Sequence, residues 1–243
     1  MFCHNQFIII KSIGSGTYSK LTFLFLGEIF HAYDTFTNKN VALKIEKVNI
    51  SKNILIQEFL AISCLQNNTN PERQKVPKIY QFYQNLNKNF FAMELLGQNI
   101  LTYMTSFPET NTIYMINEML NCIEEVHSKG IVHLDIKPSN FVVSNNPLNL
   151  SVYIIDFGLS QPYINTNGDI VENQNIDFIG TIKYASLNSH NVSFLSRRDD
   201  LWSFYFILLE FLKISLPWNK INKSFKDKKE LIVIIIVLII ESR

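Results

Sequence analysis

Arginine is scarce in this chain, with four residues among 243, two of them adjacent at Arg197 and Arg198. The formal net charge is only +1, and no basic stretch is long enough to neutralise a run of phosphates. Nucleic-acid binding depends on lysine and arginine side chains that displace counterions. The composition therefore predicts no nucleic-acid partner. It also limits the sites at which a phosphorylated side chain could meet a bidentate guanidinium.

Cysteine is also rare, and Cys3, Cys64 and Cys122 form no C-x-x-C pair. Such a scattered, odd-numbered set argues against a disulfide framework or a zinc site and is typical of a reducing compartment. Residues 1–10 lack a charged n-region and a small-residue cleavage site, so no signal peptide is expected. We therefore expect an intracellular protein, cytoplasmic or nuclear.

Long apolar runs are absent apart from residues 231–240, which read L-I-V-I-I-I-V-L-I-I. At a rise of about 1.5 Å per residue, this segment would cross only about half of a ~30 Å bilayer core. Charged residues flank it at Glu230, Glu241 and Arg243. A membrane span is therefore not expected, and a membrane-tethered protein is the weakest of the alternatives.

The chain has ample material for a hydrophobic core, since 47% of its residues are hydrophobic and 13% are aromatic. In the first third, short β-branched or aromatic segments predict strands at residues 7–13, 27–33, 40–48, 76–83 and 89–95. Helical periodicity appears at residues 54–65 and 115–129, and residues 199–212 are apolar enough for a buried helix. We expect an α+β fold with a β-rich lobe at about 7–96 and a mainly helical lobe at about 97–225.

A glycine-containing turn follows the first predicted strand, with I-G-S-G-T-Y at residues 13–18. Glycines at such a turn let backbone N–H groups approach a polyphosphate without a Cβ in the way, although a simple tight turn is the alternative. A third glycine is missing at the expected spacing, but removal of residues 19–26 would bring Gly27 into place. We hypothesise that these residues are an insertion, such as translated non-coding sequence. A genuine apolar loop extension is the alternative.

Lys44 ends the sequence V-A-L-K on a later predicted strand. A lysine that points inward from an apolar strand needs an anionic partner, because an unpaired buried ammonium is destabilising. Glu58, fourteen residues later on the predicted helix, is the natural candidate. In phosphoryl-transfer enzymes such a pair holds the lysine against nucleotide phosphates. The alternative is a lysine on an exposed face of the strand.

Two motifs in the second half point to the chemistry most directly: H-L-D-I-K-P-S-N at residues 133–140 and D-F-G at residues 156–158. Phosphoryl transfer needs a carboxylate that accepts or orients the hydroxyl proton, a cation near the transferred group, and oxygen ligands for magnesium. Asp135 fits the first role and Lys137 the second. Asn140 and Asp156 fit the third, since Mg²⁺ prefers oxygen donors. A chance match to either motif is common, but both in this order are rarely accidental.

These motifs resemble those of protein kinases of the casein kinase one group, nearest its tau-tubulin kinase-like branch. Further segments that carry the resemblance are M-E-L-L-G at 93–97, G-T-I-K-Y-A-S-L-N at 180–188, S-R-R-D-D-L-W-S at 196–203 and L-P-W at 216–218. The resemblance implies a Ser/Thr protein kinase that uses ATP and Mg²⁺ and acts on protein substrates with Ser or Thr acceptors. It leaves the oligomeric state open.

The resemblance also implies roles for individual residues. Asp200 would anchor the backbone of the catalytic loop. The implied catalytic residues are Asp135, Lys137, Lys44 and Glu58, and the implied metal ligands are Asn140 and Asp156. The implied ATP-binding residues are Ile13, Gly14, Ser15, Gly16, Gly27, Ala42, Lys44, Met93 (as gatekeeper), Glu94, Leu96 and Val142.

Two residues depart from the family's pattern. Leu134 replaces the arginine that usually stands between the histidine and the aspartate and reads a phosphate on the activation loop. Switching by activation-loop phosphorylation is therefore not expected. Lys183 stands where this group usually has an anion-binding arginine, and a lysine cannot offer the same bidentate fork. The alternative interpretation is that Lys183 is a solvated loop lysine without a binding role.

The kinase domain is expected over residues 7–243, but the resemblance itself covers only about residues 7–225. Kinases of this group continue beyond Trp218 with several more helices, and residues 231–240 resemble none of them. The helical lobe is therefore expected to be truncated, with an atypical tail at residues 226–243. Two functional hypotheses follow. One is an active Ser/Thr kinase, favoured by the intact catalytic set. The other is a kinase-like binding protein or fragment, in which the loop insertion and missing C-terminal helices spoil the positioning on which catalysis depends.

Overall fold

The computed structural model describes residues 2–3, 5–15, 27–47, 54–66, 74–84, 88–105, 112–146, 150–171 and 178–220. Its first half contains six strands: β1 (Phe2–Cys3), β2 (Phe7–Ser15), β3 (Glu28–Asp34), β4 (Lys39–Lys47), β5 (Ile79–Gln84) and β6 (Lys88–Glu94). They form one antiparallel sheet with the order β1-β2-β3-β4-β6-β5. One helix, α1 (Ile54–Gln66), packs against the sheet through its buried residues.

Alternation along β4 directs successive side chains to opposite faces of the sheet. Val41, Leu43 and Ile45 are buried in a small core on one face. Ala42 belongs to the larger core on the other face, which also contains residues of α1. Lys44 follows Ala42 by two positions and therefore points to the same side. The strand period alone thus directs this lysine towards the helix.

The second half is mainly helical. Its helices are α2 (Ile100–Thr105), α3 (Thr112–Ser128), α4 (Leu187–His190) and α5 (Arg197–Phe211), and its short strands are β7 (Ile131–Val132), β8 (Phe141–Val143), β9 (Val152–Ile154) and β10 (Gln161–Pro162). Strands β8 and β9 form one antiparallel pair, and β7 and β10 form another. Helix α3 buries Met115, Met119, Ile123 and Val126, which lie on one helical face.

Residues 95–99 connect the two halves of the chain. Gly97 donates its N–H to the carbonyl of Val143 at 2.8 Å, and a Cβ at Gly97 would lie 3.1 Å from the carbonyl oxygens of Val143 and Ser144. The close backbone approach favours glycine here. One core cluster contains Leu55 of α1 as well as Ile207 of α5, so hydrophobic packing is continuous between the halves. The predicted two-lobed α+β fold is confirmed.

Some elements differ from the prediction. The strand expected from residue 76 begins at Ile79, after Pro77, whose backbone nitrogen has no hydrogen to donate. The short helix α2 was not predicted. The expectation that residues 199–212 form a buried helix is wrong in part, because Leu201 and Trp202 of α5 are 45% and 38% exposed. Because apolar residues lie on every side of α5, the sequence does not indicate which face of the helix is buried.

The proposed insertion at residues 19–26 and the atypical tail at residues 226–243 lie outside the described residues and remain predictions. The proposed domain bounds also remain predictions. Within the described ranges, no helix combines the length and the apolar character needed to cross a membrane.

Candidate active site

One buried carboxylate at the start of α5 holds the backbone of the predicted catalytic loop. Asp200 Oδ2 accepts a hydrogen bond from the N–H of His133, and Oδ1 accepts one from the N–H of Leu134, both at 2.8 Å. The ring Nε2 of His127 also lies 2.8 Å from Oδ2. Asp200 therefore makes the anchoring contacts that the family resemblance implies. Asp135 directly follows the two anchored residues.

Leu134 has a backbone φ of 64°, in the left-handed region that disfavours residues with a Cβ. Gly180, itself at a φ of 104°, packs against it so closely that a Cβ would lie 2.7 Å from the Leu134 carbonyl oxygen. The Leu134 side chain is buried with Val132 and Leu195, and Ile179 packs on this cluster. Leu134 thus joins the catalytic loop to the segment that returns through Ile179 and Gly180.

Three donors surround the carboxylate of Asp135, a residue that is only 4% exposed. Its Oδ1 accepts a hydrogen bond from Thr181 Oγ1 at 2.6 Å. Its Oδ2 lies 2.6 Å from Lys137 Nζ and 3.4 Å from Asn140 Nδ2. Asn140 Nδ2 also donates to the carbonyl oxygen of Asp135 at 2.9 Å. The predicted catalytic aspartate, lysine and asparagine are therefore brought together by direct contacts.

Thr181 is a site residue that the sequence reasoning missed. Its segment at residues 180–188 was noted only as part of the family resemblance, and the threonine lies 46 residues from its partner. The threonine directly follows Gly180, whose conformation allows the chain to pass close to the catalytic loop. The signal available in the sequence was the glycine directly before the threonine. A glycine allows the backbone to approach the catalytic loop closely, and the next side chain then lies within reach of that loop.

Lys44 lies between two carboxylates from different halves of the chain. Its Nζ is 2.7 Å from Glu58 Oε1 and 2.9 Å from Asp156 Oδ1, and its side chain is 8% exposed. Although burial alone would lower it, the carboxylates of Asp156 and Glu58 raise the pKa of Lys44 above its usual value. The alternative of an exposed strand lysine is thereby excluded, and the predicted pairing with Glu58 is present.

The two carboxylates around Lys44 differ in their environment. Burial raises the pKa of Glu58, with the Lys44 ammonium opposing the effect and the Asp156 carboxylate adding to it. At Asp156 burial acts in the same direction, but the Lys44 ammonium dominates and holds the pKa of that carboxyl well below its usual range. Asp156 is therefore ionised at neutral pH, as a metal ligand must be.

Asn140 and Asp156 are placed side by side by the β8–β9 hairpin. Phe141, the first residue of β8, pairs with Ile154, the last residue of β9, and the N–H of Ile155 donates to the Asn140 carbonyl at 2.9 Å. The two predicted metal ligands thus flank the same end of the hairpin. One amide side chain and one ionised carboxylate are oxygen donors of the kind that a hard divalent cation prefers. The donor chemistry therefore fits the metal that the sequence predicts.

The predicted glycine turn connects β2 to β3. These strands pair as far as Ser15 and Glu28, and residues 16–26 lie outside the described residues. A Cβ at Gly27 would lie 3.6 Å from Lys44 Cε, which places the third predicted glycine beside the predicted phosphate-binding lysine. The other predicted residues of this turn are Ile13, Gly14 and Ser15, which belong to β2, and Gly16, which lies outside the described residues.

The residues predicted to surround the adenine lie around the connection between the two halves. Ala42 pairs with Met93 across β4 and β6, and both side chains are buried. Val142, 7% exposed, lies on β8 in the second half. Glu94 donates its backbone N–H to the Lys78 carbonyl at 2.7 Å, so this N–H is not an adenine donor. An adenine contact at Glu94 would have to use its carbonyl oxygen.

Lys183 matches neither of the two interpretations that the sequence allows, an anion-binding residue or a solvated loop lysine. It is not simply a solvated loop lysine, because its Nζ lies 2.6 Å from Glu210 Oε1. It is also not an isolated cation that awaits an anion. Glu210 lies on α5 and had no predicted role. The sequence offers no local signal for this pair, since the partners belong to separate elements.

A β-rich lobe with a buried lysine–glutamate pair, whose lysine also contacts Asp156 of a mainly helical lobe, together with an anchored aspartate loop, defines the fold of a protein kinase. The sequence comparison agrees, because residues 7–242 match the family described as "Protein kinase domain". The chain belongs to this family.

A relative among the curated proteins is described as a "Probable serine/threonine-protein kinase" from Dictyostelium discoideum. It is 33% identical to the chain over 236 residues, which cover 93% of this chain and 44% of the relative. The chain thus spans less than half the length of that protein.

Proposed function

We propose that the chain is a Ser/Thr protein kinase that transfers the γ-phosphoryl group of ATP to Ser or Thr hydroxyls of protein substrates. The observation that carries the proposal is the contact set of Asp135. A buried carboxylate with a lysine ammonium at 2.6 Å and a neighbouring asparagine supplies the parts that phosphoryl transfer needs. Membership of the kinase family and the likeness to a protein described as a Ser/Thr kinase support it.

In the proposed reaction, the Asp135 carboxylate orients the acceptor hydroxyl and accepts its proton. The Thr181 hydroxyl, at 2.6 Å from Oδ1, fixes the rotamer of this carboxylate. Lys137 places positive charge beside the transferred group. Lys44, held by Glu58, binds phosphate oxygens of the nucleotide. Each of these roles is positional or electrostatic, which is how most of the rate enhancement in phosphoryl transfer arises.

We further propose that Asn140 and Asp156 hold Mg²⁺. The bound ion would neutralise charge on the phosphates and help to orient them. The side chains would contribute an amide oxygen and a carboxylate, which are oxygen donors of the kind that Mg²⁺ prefers. The low pKa of Asp156 favours this role.

We assign the chain, as a proposal, to the casein kinase one group and its tau-tubulin kinase-like branch. The segments at residues 93–97, 180–188 and 196–203 support this assignment. An intracellular location and the absence of a nucleic-acid partner are proposed from the cysteine pattern and the net charge of +1.

We also propose that activity does not depend on a phosphate in the activation loop. The position that would carry the phosphate-reading arginine is Leu134, which is buried with Val132 and Leu195 while Tyr163 and Ile179 pack on the same cluster. Apolar packing at this position links the catalytic loop to the returning segment. A charge-assisted contact to a phosphate is therefore not required to hold the two together.

The test is an ATP-dependent transfer assay on casein-like substrates with the full chain and Asp135→Asn. Asparagine preserves size but cannot accept the proton, so transfer should fall by about 10²- to 10⁴-fold. Nucleotide binding, measured separately, should change little. Phosphate should appear on Ser or Thr. Equal transfer by the two proteins would refute catalysis at Asp135 and favour the kinase-like binding protein.

A further inference from the structure

Lys183 belongs to the segment that contacts the proposed catalytic aspartate. Thr181, two residues earlier, donates to the catalytic carboxylate of Asp135. The chain then turns tightly, with the N–H groups of Tyr184 and Ala185 donating to the Thr181 carbonyl at 2.9 and 3.0 Å. Lys183 is part of this turn, so it lies close along the chain to the residue that contacts Asp135.

The backbone and the side chain of Lys183 are both held. Its carbonyl oxygen accepts a hydrogen bond from Trp218 Nε1 at 2.9 Å. Its Nζ lies 2.6 Å from Glu210 Oε1, and the side chain remains 40% exposed. The ammonium is therefore partly exposed to solvent and has a carboxylate in direct contact.

Glu210 is fixed by a second set of contacts. Its Oε2 accepts a hydrogen bond from the Tyr184 hydroxyl at 2.6 Å, and its Oε1 accepts one from Asn219 Nδ2 at 3.3 Å. Although burial opposes it, the hydrogen bonds from Lys183 and Tyr184 hold the pKa of Glu210 below its usual value. The carboxylate is thus ionised at neutral pH, and the pair carries no net charge.

We propose that Glu210 is a specificity-determining residue. By neutralising Lys183, it prevents this lysine from favouring substrates with acidic or phosphorylated residues next to the acceptor. The inference rests on the proposed kinase function and deepens it by naming the substrate class. A peptide anion that approaches Lys183 meets the Glu210 carboxylate as well, so attraction and repulsion offset each other. Substrates with neutral residues near the acceptor are therefore used as well as acidic ones.

The experiment compares two peptides that differ only next to the acceptor, one with neutral residues and one with aspartates. The measured quantity is the ratio of kcat/KM for the acidic peptide to that for the neutral peptide. The wild-type chain should give a ratio near one. Glu210→Gln leaves Lys183 without its counter-charge and should raise the ratio by about 2- to 5-fold, the range expected for one partly exposed charge.

Tyr184→Phe is the matched control, because it removes a hydrogen bond to Glu210 without changing any charge. Its ratio should stay near that of the wild type. Lys183→Met leaves the Glu210 carboxylate without its counter-charge and should lower the ratio below the wild-type value. This second variant keeps the proposal open to refutation even if Glu210→Gln fails to fold, which thermal unfolding would reveal.

Binding of the same two peptides, measured by fluorescence anisotropy, gives a readout that does not need turnover. The two affinities should shift in the same directions as the kcat/KM ratios. A wild-type chain that already favours the acidic peptide tenfold, or charge variants with an unchanged ratio, would overturn the proposal. Shifted binding without any phosphoryl transfer would instead support the role of Glu210 and refute the kinase function.

Discussion

Replacement of Asp200 tests how the catalytic loop is held. Its two carboxylate oxygens accept hydrogen bonds from consecutive backbone N–H groups, those of His133 and Leu134, at 2.8 Å each. Asp200→Ala leaves both buried donors without an acceptor, and each unmade bond costs about 1–3 kcal/mol. The expected loss is therefore about 2–6 kcal/mol, a large part of the ~5–15 kcal/mol that stabilises a typical domain.

Asp200→Asn refines the test because it retains one acceptor oxygen. One N–H remains satisfied while the other faces an amide NH₂, so we expect about half the loss, roughly 1–3 kcal/mol. Chemical denaturation of the full chain, with equal m-values, measures both differences. Asp169→Asn, at an exposed position in a turn, is the control and should stay within about 0.5 kcal/mol of wild type.

The same variants should lose phosphoryl transfer, because Leu134 precedes the proposed catalytic aspartate and adopts a φ of 64° that the Asp200 contact helps to maintain. If Asp200→Ala destabilised the chain by less than 1 kcal/mol, the two N–H groups would have found other partners. The anchoring argument would then be wrong. Equal losses for the alanine and asparagine variants would show that the number of acceptors is not what matters.

Two further predictions concern charge at the site. Glu58→Gln replaces the charge-assisted contact to Lys44 by a weaker neutral one, a difference of about 1–2 kcal/mol. In steady-state kinetics, kcat/KM for ATP should therefore fall about 5- to 30-fold. An unchanged value would show that Asp156 alone positions the lysine. Treatment with a non-specific phosphatase should leave kcat within about twofold, because apolar packing occupies the position of the phosphate-reading arginine; a large loss of activity would contradict the role given to Leu134.

The elements that sequence predicts best here are those with a strong local period. Alternation along β4 separated Val41 and Leu43 from Ala42 and Lys44, and helical spacing placed Glu58 on α1. An inward lysine with a helical glutamate nearby was therefore a reasonable prediction from two local patterns. Helix α5 lacks such a pattern, because its apolar residues lie on all sides, and its exposed face was not foreseen.

The contacts that sequence reasoning missed join residues far apart in the chain. Thr181 reaches Asp135 across 46 residues, and Tyr184 reaches Glu210 across 26. Asp135 was predicted from its motif, but Thr181, Tyr184 and Glu210 have ordinary local roles as loop or helix residues. No composition or period marks these three as part of a site, and the glycine before Thr181 is the local signal for that residue. Only the folded arrangement, with the glycine-led return at Gly180, brings them together.

The position of Lys44 between Glu58 and Asp156 has a consequence for nucleotide entry. Its ammonium already contacts two anions, one from each half of the chain. A phosphate that binds to Lys44 must therefore compete with these carboxylates for the three N–H donors of the ammonium. Asp156 is the partner more open to solvent, with a side chain 16% exposed against 3% for Glu58. If a phosphate replaced Asp156 at Lys44, Glu58 would still hold the lysine to α1. The Asp156 carboxylate would then be available to a cation.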